Sequence, residues 1–188
     1  MQIQTTGKLN VLAAVYGLKT VTNNITALIT DGNPQTLKFT VTNKAIGEDG
    51  WKGQRKSITI LYNYDGGDLH IAAAKEGDTL TIGEKEFTRA KSTPAHELAY
   101  KQKLSVLGAT YGIDDITYKI KNLISPYNTL SFKADNNLFG DGWYGVAKTL
   151  IIILGHKDQV ASVEVFTERE QCYLDLNDFV PARHALAV

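Results

Sequence analysis

Cysteine, methionine, tryptophan and proline are all scarce: 1, 1, 2 and 4 residues respectively in a chain of 188. The lone Cys172 excludes an internal disulfide and, without partner thiols, any thiolate metal cluster. An excess of one charge is missing too, because 20 Lys plus Arg balance 20 Asp plus Glu. Neither half of the chain carries the electrostatic footprint expected for nucleic acid or an anionic membrane surface. The run Leu150-Ile151-Ile152-Ile153-Leu154 is far short of the roughly 20 residues that a membrane helix needs, and reads as a buried strand. The opening Met1-Gln2-Ile3-Gln4-Thr5-Thr6-Gly7 has no basic n-region and no apolar h-region, so no secretory signal is expected and the cytoplasm is the default compartment. No glycine-rich phosphate loop opens a helix, since Gly47-Glu48-Asp49-Gly50 lacks the Lys-Ser/Thr continuation. His70, His96, His156 and His184 are scattered, without a second ligand or nucleophile at a diagnostic spacing. No cofactor is implied, and an enzyme is not expected.

What the chain does contain is a repeat within a composition, 43% hydrophobic and 21% charged, typical of a packed globular protein. Displaced by 95 residues, Leu9–Gly17 falls on Leu104–Gly112, and 10 of the 21 pairs from Leu9 to Ile29 are identical. After short gaps, Leu37 and Phe39 meet Leu130 and Phe132. Asp49-Gly50-Trp51-Lys52-Gly53 then meets Asp141-Gly142-Trp143-Tyr144-Gly145, and Lys56 meets Lys148. Each unit is about 80 residues, near the size at which a small domain can hold its own core. We therefore expect two tandem domains, 1–84 and 103–188, joined by a polar linker, 85–102, that includes Pro94.

The same local patterns recur in both units. Apolar residues at Val21, Ile25, Leu28 and Ile29, and at Ile116, Ile120, Leu123 and Ile124, follow one helix face. Thr22 and Thr117 are the expected caps. Strands are predicted to end at Tyr16 and to span 37–41, 57–64, 69–73 and 79–82 in the first unit. In the second they span 130–132, 148–154, 161–166 and 171–176, with turn residues between them. This predicts a mainly β protein of two homologous antiparallel β-sandwiches, each with one short helix.

The strongest functional signal is the pair of Asp-Gly-Trp loops, which hold both tryptophans of the chain at equivalent places. Glycines before and after each ring allow a specified loop conformation, and an aromatic plane beside Asp, Asn and amides suits a sugar or peptide. The candidate ligand-binding residues are Asn43, Asp49, Gly50, Trp51, Asn136, Asp141, Gly142, Trp143 and Tyr144. The competing reading is that each ring plugs the open end of its sandwich. Asn43, Glu48 and Asp49, with Asp135, Asn136, Asn137 and Asp141, are hard oxygen donors, but their spacing matches no defined calcium loop and no metal is assigned. Lys56 and Lys148 are read as solvated strand ends, Cys172 as a core thiol, and Tyr16 and Tyr111 as buried rings with hydrogen-bonded hydroxyls. Two equal sites on one chain favour binding through avidity. The expected function is a non-catalytic, lectin-like module for a carbohydrate or protein ligand; the alternative is a protein-interaction scaffold. A homo-oligomer is compatible with either.

Tyr111-Gly112, Asp115-Ile116-Thr117, Phe139-Gly140-Asp141 and Lys148-Thr149-Leu150, echoed by Thr20-Val21-Thr22 and Ile46-Gly47-Glu48, resemble a β-rich C-terminal domain of unknown function. That domain is attached to some mitochondrial J-domain co-chaperones and occurs in bacterial and fungal proteins. The His-Pro-Asp loop of a J-domain is absent from the sequence. The resemblance implies a scaffold or interaction module and transfers no ligand or catalytic residue.

Overall fold

The computed structural model describes residues 7–83, 104–156 and 159–177. The expected linker lies outside these residues, as do His96 and His184. In the first half the order is β1 (Leu9–Tyr16), β2 (Lys19–Thr20), α1 (Thr22–Thr26), β3 (Ile29–Thr30), β4 (Thr36–Thr40), α2 (Asn43–Ile46), β5 (Ser57–Tyr64), β6 (His70–Lys75) and β7 (Thr79–Ile82). In the second it is β8 (Ser105–Tyr111), β9 (Asp114–Asp115), α3 (Thr117–Asn122), β10 (Thr129–Lys133), α4 (Asn136–Phe139), β11 (Thr149–His156), β12 (Gln159–Thr167) and β13 (Gln171–Asp175). The protein is mainly β and its sheets are antiparallel. The larger sheets have the orders β2-β1-β5-β6 and β9-β8-β11-β12; the smaller ones are β3-β4-β7 and β10-β13. An extra residue bulges from the first strand at Leu12 in one half and at Leu107 in the other.

Each half places a core between its larger and smaller sheets. Ile58, Ile60, Tyr62 and Tyr64 of β5 meet Leu37, Phe39, Leu80 and Ile82 in the first. Leu150, Ile152 and Leu154 of β11 meet Leu130 and Cys172 in the second. Each fully buried Ile or Leu contributes about 2 kcal/mol of hydrophobic stabilisation. The period of two explains why these residues form strands, but not why β5 is buried at every position. The opposite face of the larger sheet supplies the reason. Ala13, Val15 and Leu61 form a cluster with Ile151 and Ile153 of the other half, so the two larger sheets pack back to back. Strands covered on both sides read as continuous apolar runs. Within this interface the Thr59 and Thr110 hydroxyls meet at 2.7 Å, and the Ser57 hydroxyl donates to the Gly112 carbonyl at 2.8 Å, all buried.

Two local expectations change. Thr22 and Thr117 do not cap their helices: the caps are Val21 and Ile116, with no side-chain cap. Instead each threonine hydroxyl accepts the amide of a strand residue, Ala14 at 3.0 Å and Ala109 at 2.9 Å, pinning the helix to the sheet. Each half also has a second, one-turn helix. Thr42 caps α2 by accepting from the Ala45 amide, and Asp135 caps α4 by accepting from the Leu138 amide. These turns are too short to show helical periodicity, which is why the sequence reading expected only one helix in each half.

Candidate functional site

The one-turn helices and the Asp-Gly-Trp loops gather around the Tyr-Gly turn that ends the first strand of each half. Gly17 and Gly112 have φ of 61° and 64°, a left-handed conformation that suits glycine. Their amides donate to the Ser57 and Thr149 carbonyls at 3.0 and 2.9 Å. In the first half the Gly50 carbonyl accepts from the Leu18 amide at 3.0 Å, and a Cβ on Gly50 would overlap the Tyr16 carbonyl oxygen. Gly142 serves close approach as well, but its neighbour is the Asp114 carboxylate. Both glycines thus have the role their loop predicts.

Lys56 and Lys148 overturn the reading as solvated strand ends, being only 4% and 2% exposed. They fall in phase with Ile58 and Ile60, and with Leu150 and Ile152, so the alternation that builds the core turns them inward. A buried ammonium requires partners. Lys56 Nζ lies 3.2 Å from Asp49 Oδ1 and 3.3 Å from Glu76 Oε1, and donates to the Gln54 carbonyl. Lys148 Nζ lies 2.6 Å from Asp141 Oδ1 and 3.8 Å from Glu168 Oε2, and donates to the Val146 carbonyl. The ammoniums stand 5.3 Å above the Tyr16 ring and 5.9 Å above the Tyr111 ring.

The tyrosines behave as their sequence reading expects. Tyr111 donates its hydroxyl to Asn136 Oδ1 at 2.9 Å; the Tyr16 hydroxyl is shared between Asn43 Oδ1 at 2.9 Å and Glu76 Oε1 at 3.0 Å. Burial, first of all, holds both phenols well above their ordinary pKa, with Glu76 adding to the effect at Tyr16 and the charge of Glu168 at Tyr111. The hydrogen bond from Lys56 keeps the Asp49 carboxyl below its usual range, and that from Lys19, at 2.7 Å, does the same for Glu48. Cys172 is fully buried, and burial raises its thiol to about 12. Among the described residues, no group of three or more His, Cys, Asp or Glu side chains is placed to hold a metal ion. His156 ends β11 and Lys148 precedes it, so the two stand at opposite ends of the strand. His70 stacks on Tyr62 instead, with ring centroids 5.5 Å apart.

The halves part company at the surface of this cluster. A cavity of about 500 Å³ in the second half is lined by Asn136, Asp141, Tyr144, Lys148, Glu168 and Arg169, among others. Three of the predicted ligand-binding residues line it; Gly142 and Trp143 do not. Tyr144, 91% exposed, stands where the first half has Lys52. Arg169 stands at the place of Gly77 and shares its left-handed backbone, with φ of 74° against 97°. In both halves the Asn and Asp of the loop are engaged within the fold: Asn43 with Tyr16 and Asp49 with Lys56 and the Trp51 amide, as Asn136 is with Tyr111 and Asp141 with Lys148. Both tryptophan rings are half-buried. Trp143 receives Lys75 of the first half, whose Nζ lies 5.4 Å from the ring centroid. Sequence reasoning missed Lys148, Glu168 and Arg169. For Lys148 the signal was its phase with the core residues of its strand; for Arg169 it was alignment with a glycine.

Comparison with protein-family models, with curated proteins and with solved structures finds no match to this chain.

Proposed function

We propose that the protein is a non-catalytic carbohydrate-binding module whose working site is the cavity of the second half. The observation that carries this reading is the lining itself, where an exposed tyrosine ring stands beside Asn136, Asp141 and Glu168. A sugar presents one apolar face and a rim of hydroxyls, and an aromatic plane with a few fixed polar groups complements both. The ion pairs of Lys148 with Asp141 and Glu168 hold these carboxylates in place, while their remaining lone pairs can accept ligand hydroxyls. The paired charges also support binding over catalysis, since the basic and acidic groups neutralise one another. We further propose that the two halves descend from one duplicated unit. The repeated residues and the shared strand order support this.

The test is a glycan array followed by calorimetry. Binding of a glycan by the intact chain should be lost in Tyr144→Ala, whose ring is too exposed to matter for folding, and kept in Lys52→Ala, the same position of the first half. Binding that survives Tyr144→Ala removes the cavity from consideration. The scaffold reading, which the resemblance to the co-chaperone domain implies, draws on one observation, the Lys75–Trp143 contact between halves. It gains if Trp143→Ala destabilises the chain and no glycan binds.

A further inference from the structure

Arg169 occupies a position made for glycine. It follows Glu168 in the turn from β12 to β13, where its amide donates to the Ala134 carbonyl and the Glu170 amide donates to the Thr167 carbonyl at 3.0 Å. In the first half the same turn runs Lys75-Glu76-Gly77-Asp78. There the Gly77 amide donates to the Val41 carbonyl at 2.8 Å and the Asp78 amide to the Lys75 carbonyl at 3.0 Å. Both turns need a left-handed residue at this point, with φ of 97° for Gly77 and 74° for Arg169. An L-residue with a long side chain adopts that conformation at a cost that glycine avoids. Backbone preference therefore does not account for the arginine, whereas Arg169 lines the cavity and is exposed.

The charges around the cavity are unequally committed. Lys148 is buried and engaged by Asp141, Glu168 and the Val146 carbonyl, so its charge is already met. Glu170, beside the arginine, accepts from the Thr167 amide and hydroxyl at 2.8 and 3.1 Å. The Arg169 guanidinium is exposed and makes no hydrogen bond or ion pair among the described residues. It is the cation of the cavity that remains open to an incoming ligand. A planar guanidinium fork matches a carboxylate through two parallel hydrogen bonds. Asp141 and Glu168 repel a carboxylate and accept hydroxyls, so they orient such a ligand with its acid group away from them and toward Arg169.

We infer that this cavity selects acidic sugars, with Arg169 as the specificity-determining residue that receives the sugar carboxylate. The inference rests on the carbohydrate reading and deepens it. The first half, with Gly77 and Lys52 in place of Arg169 and Tyr144, lacks both elements of the selection.

Hexose and hexuronate pairs that differ only at the sixth carbon provide the test: glucose with glucuronate, galactose with galacturonate, and mannose with mannuronate. Affinities are measured by calorimetry on the full chain. One pair should bind, with the uronate about tenfold tighter than its hexose, the value of a single well-placed charged contact. Arg169→Gly and Arg169→Asn, both suited to a left-handed backbone, should bring that ratio to about one and melt no lower than the parent chain. Equal affinity for a uronate and its hexose in the parent chain, or a preference that survives in either variant, overturns the role of Arg169 while leaving the carbohydrate reading intact. Failure of all six sugars to bind removes the carbohydrate reading and this inference together.

Discussion

The back-to-back packing of the larger sheets can be tested at Thr59 and Thr110, whose hydroxyls meet at 2.7 Å and are fully buried. Thr→Val keeps the branched shape and replaces the hydroxyl by a methyl group. Either single variant leaves the opposite hydroxyl without its partner in an apolar layer beside Leu61, Ile151 and Ile153. The expected cost is the desolvation of one buried hydroxyl, about 1 to 3 kcal/mol. A methyl group left at the hydrogen-bond distance from an oxygen would also be closer than van der Waals contact allows and must move away, so about 2 kcal/mol or more is expected for each single change. In the double variant no hydroxyl is stranded, and the pair becomes apolar like Val15 and Ile151, their neighbours on the adjacent strands β1 and β11. The cycle should therefore be non-additive by at least about 1 kcal/mol, with the double variant more stable than the sum of the singles. Urea unfolding of the parent and three variants measures this, with the slope checked for constancy. Additivity to within about 0.5 kcal/mol would mean that the two hydroxyls do not meet, and the packing of the halves would have to be redrawn.

Two further predictions concern the Tyr-Gly turn and its surroundings. Gly50→Ala forces a Cβ onto the Tyr16 carbonyl and should cost about 3 kcal/mol, whereas Gly53→Ala meets nothing within 4 Å and bears only the penalty of its φ of 74°, about 1 kcal/mol. Equal melting points for the two variants would refute the close approach. The raised pKa of Tyr16 and Tyr111 makes the protonated hydroxyl the form that the fold favours. Their contribution is complete below the ordinary phenol value of about 10 and is lost as pH rises beyond it. Tyrosinate absorbance should show a late ionising step, together with unfolding, and Tyr16→Phe with Tyr111→Phe should reduce that step by two phenols. Ionisation of all nine tyrosines in a single early step would contradict the hydrogen-bonded clusters.

The strand positions and the mainly β architecture were legible in the sequence because the evidence for them is local. Alternation in Ser57–Tyr64, the turn residues at Asp65-Gly66-Gly67 and the matching patterns 92 residues later state the element and its inner face. The loop glycines were legible for the same reason, and so were Asn136, Asp141 and Tyr144 as near neighbours along the chain. Periodicity reports which residues share a face, but not what covers the face opposite. Only the tertiary structure decided that Leu61, Ile151 and Ile153 lie between the two halves. Only the structure turned Lys56 and Lys148 from strand ends into buried, doubly paired cations, because their partners Glu76 and Glu168 come from the far side of a hairpin, 20 residues along the chain. The inequality of the two loops was likewise hidden. It depends on Tyr144 and Arg169, residues 25 positions apart by their numbers, meeting at one cavity, and a distance along the chain becomes a distance in space only when the sheets close.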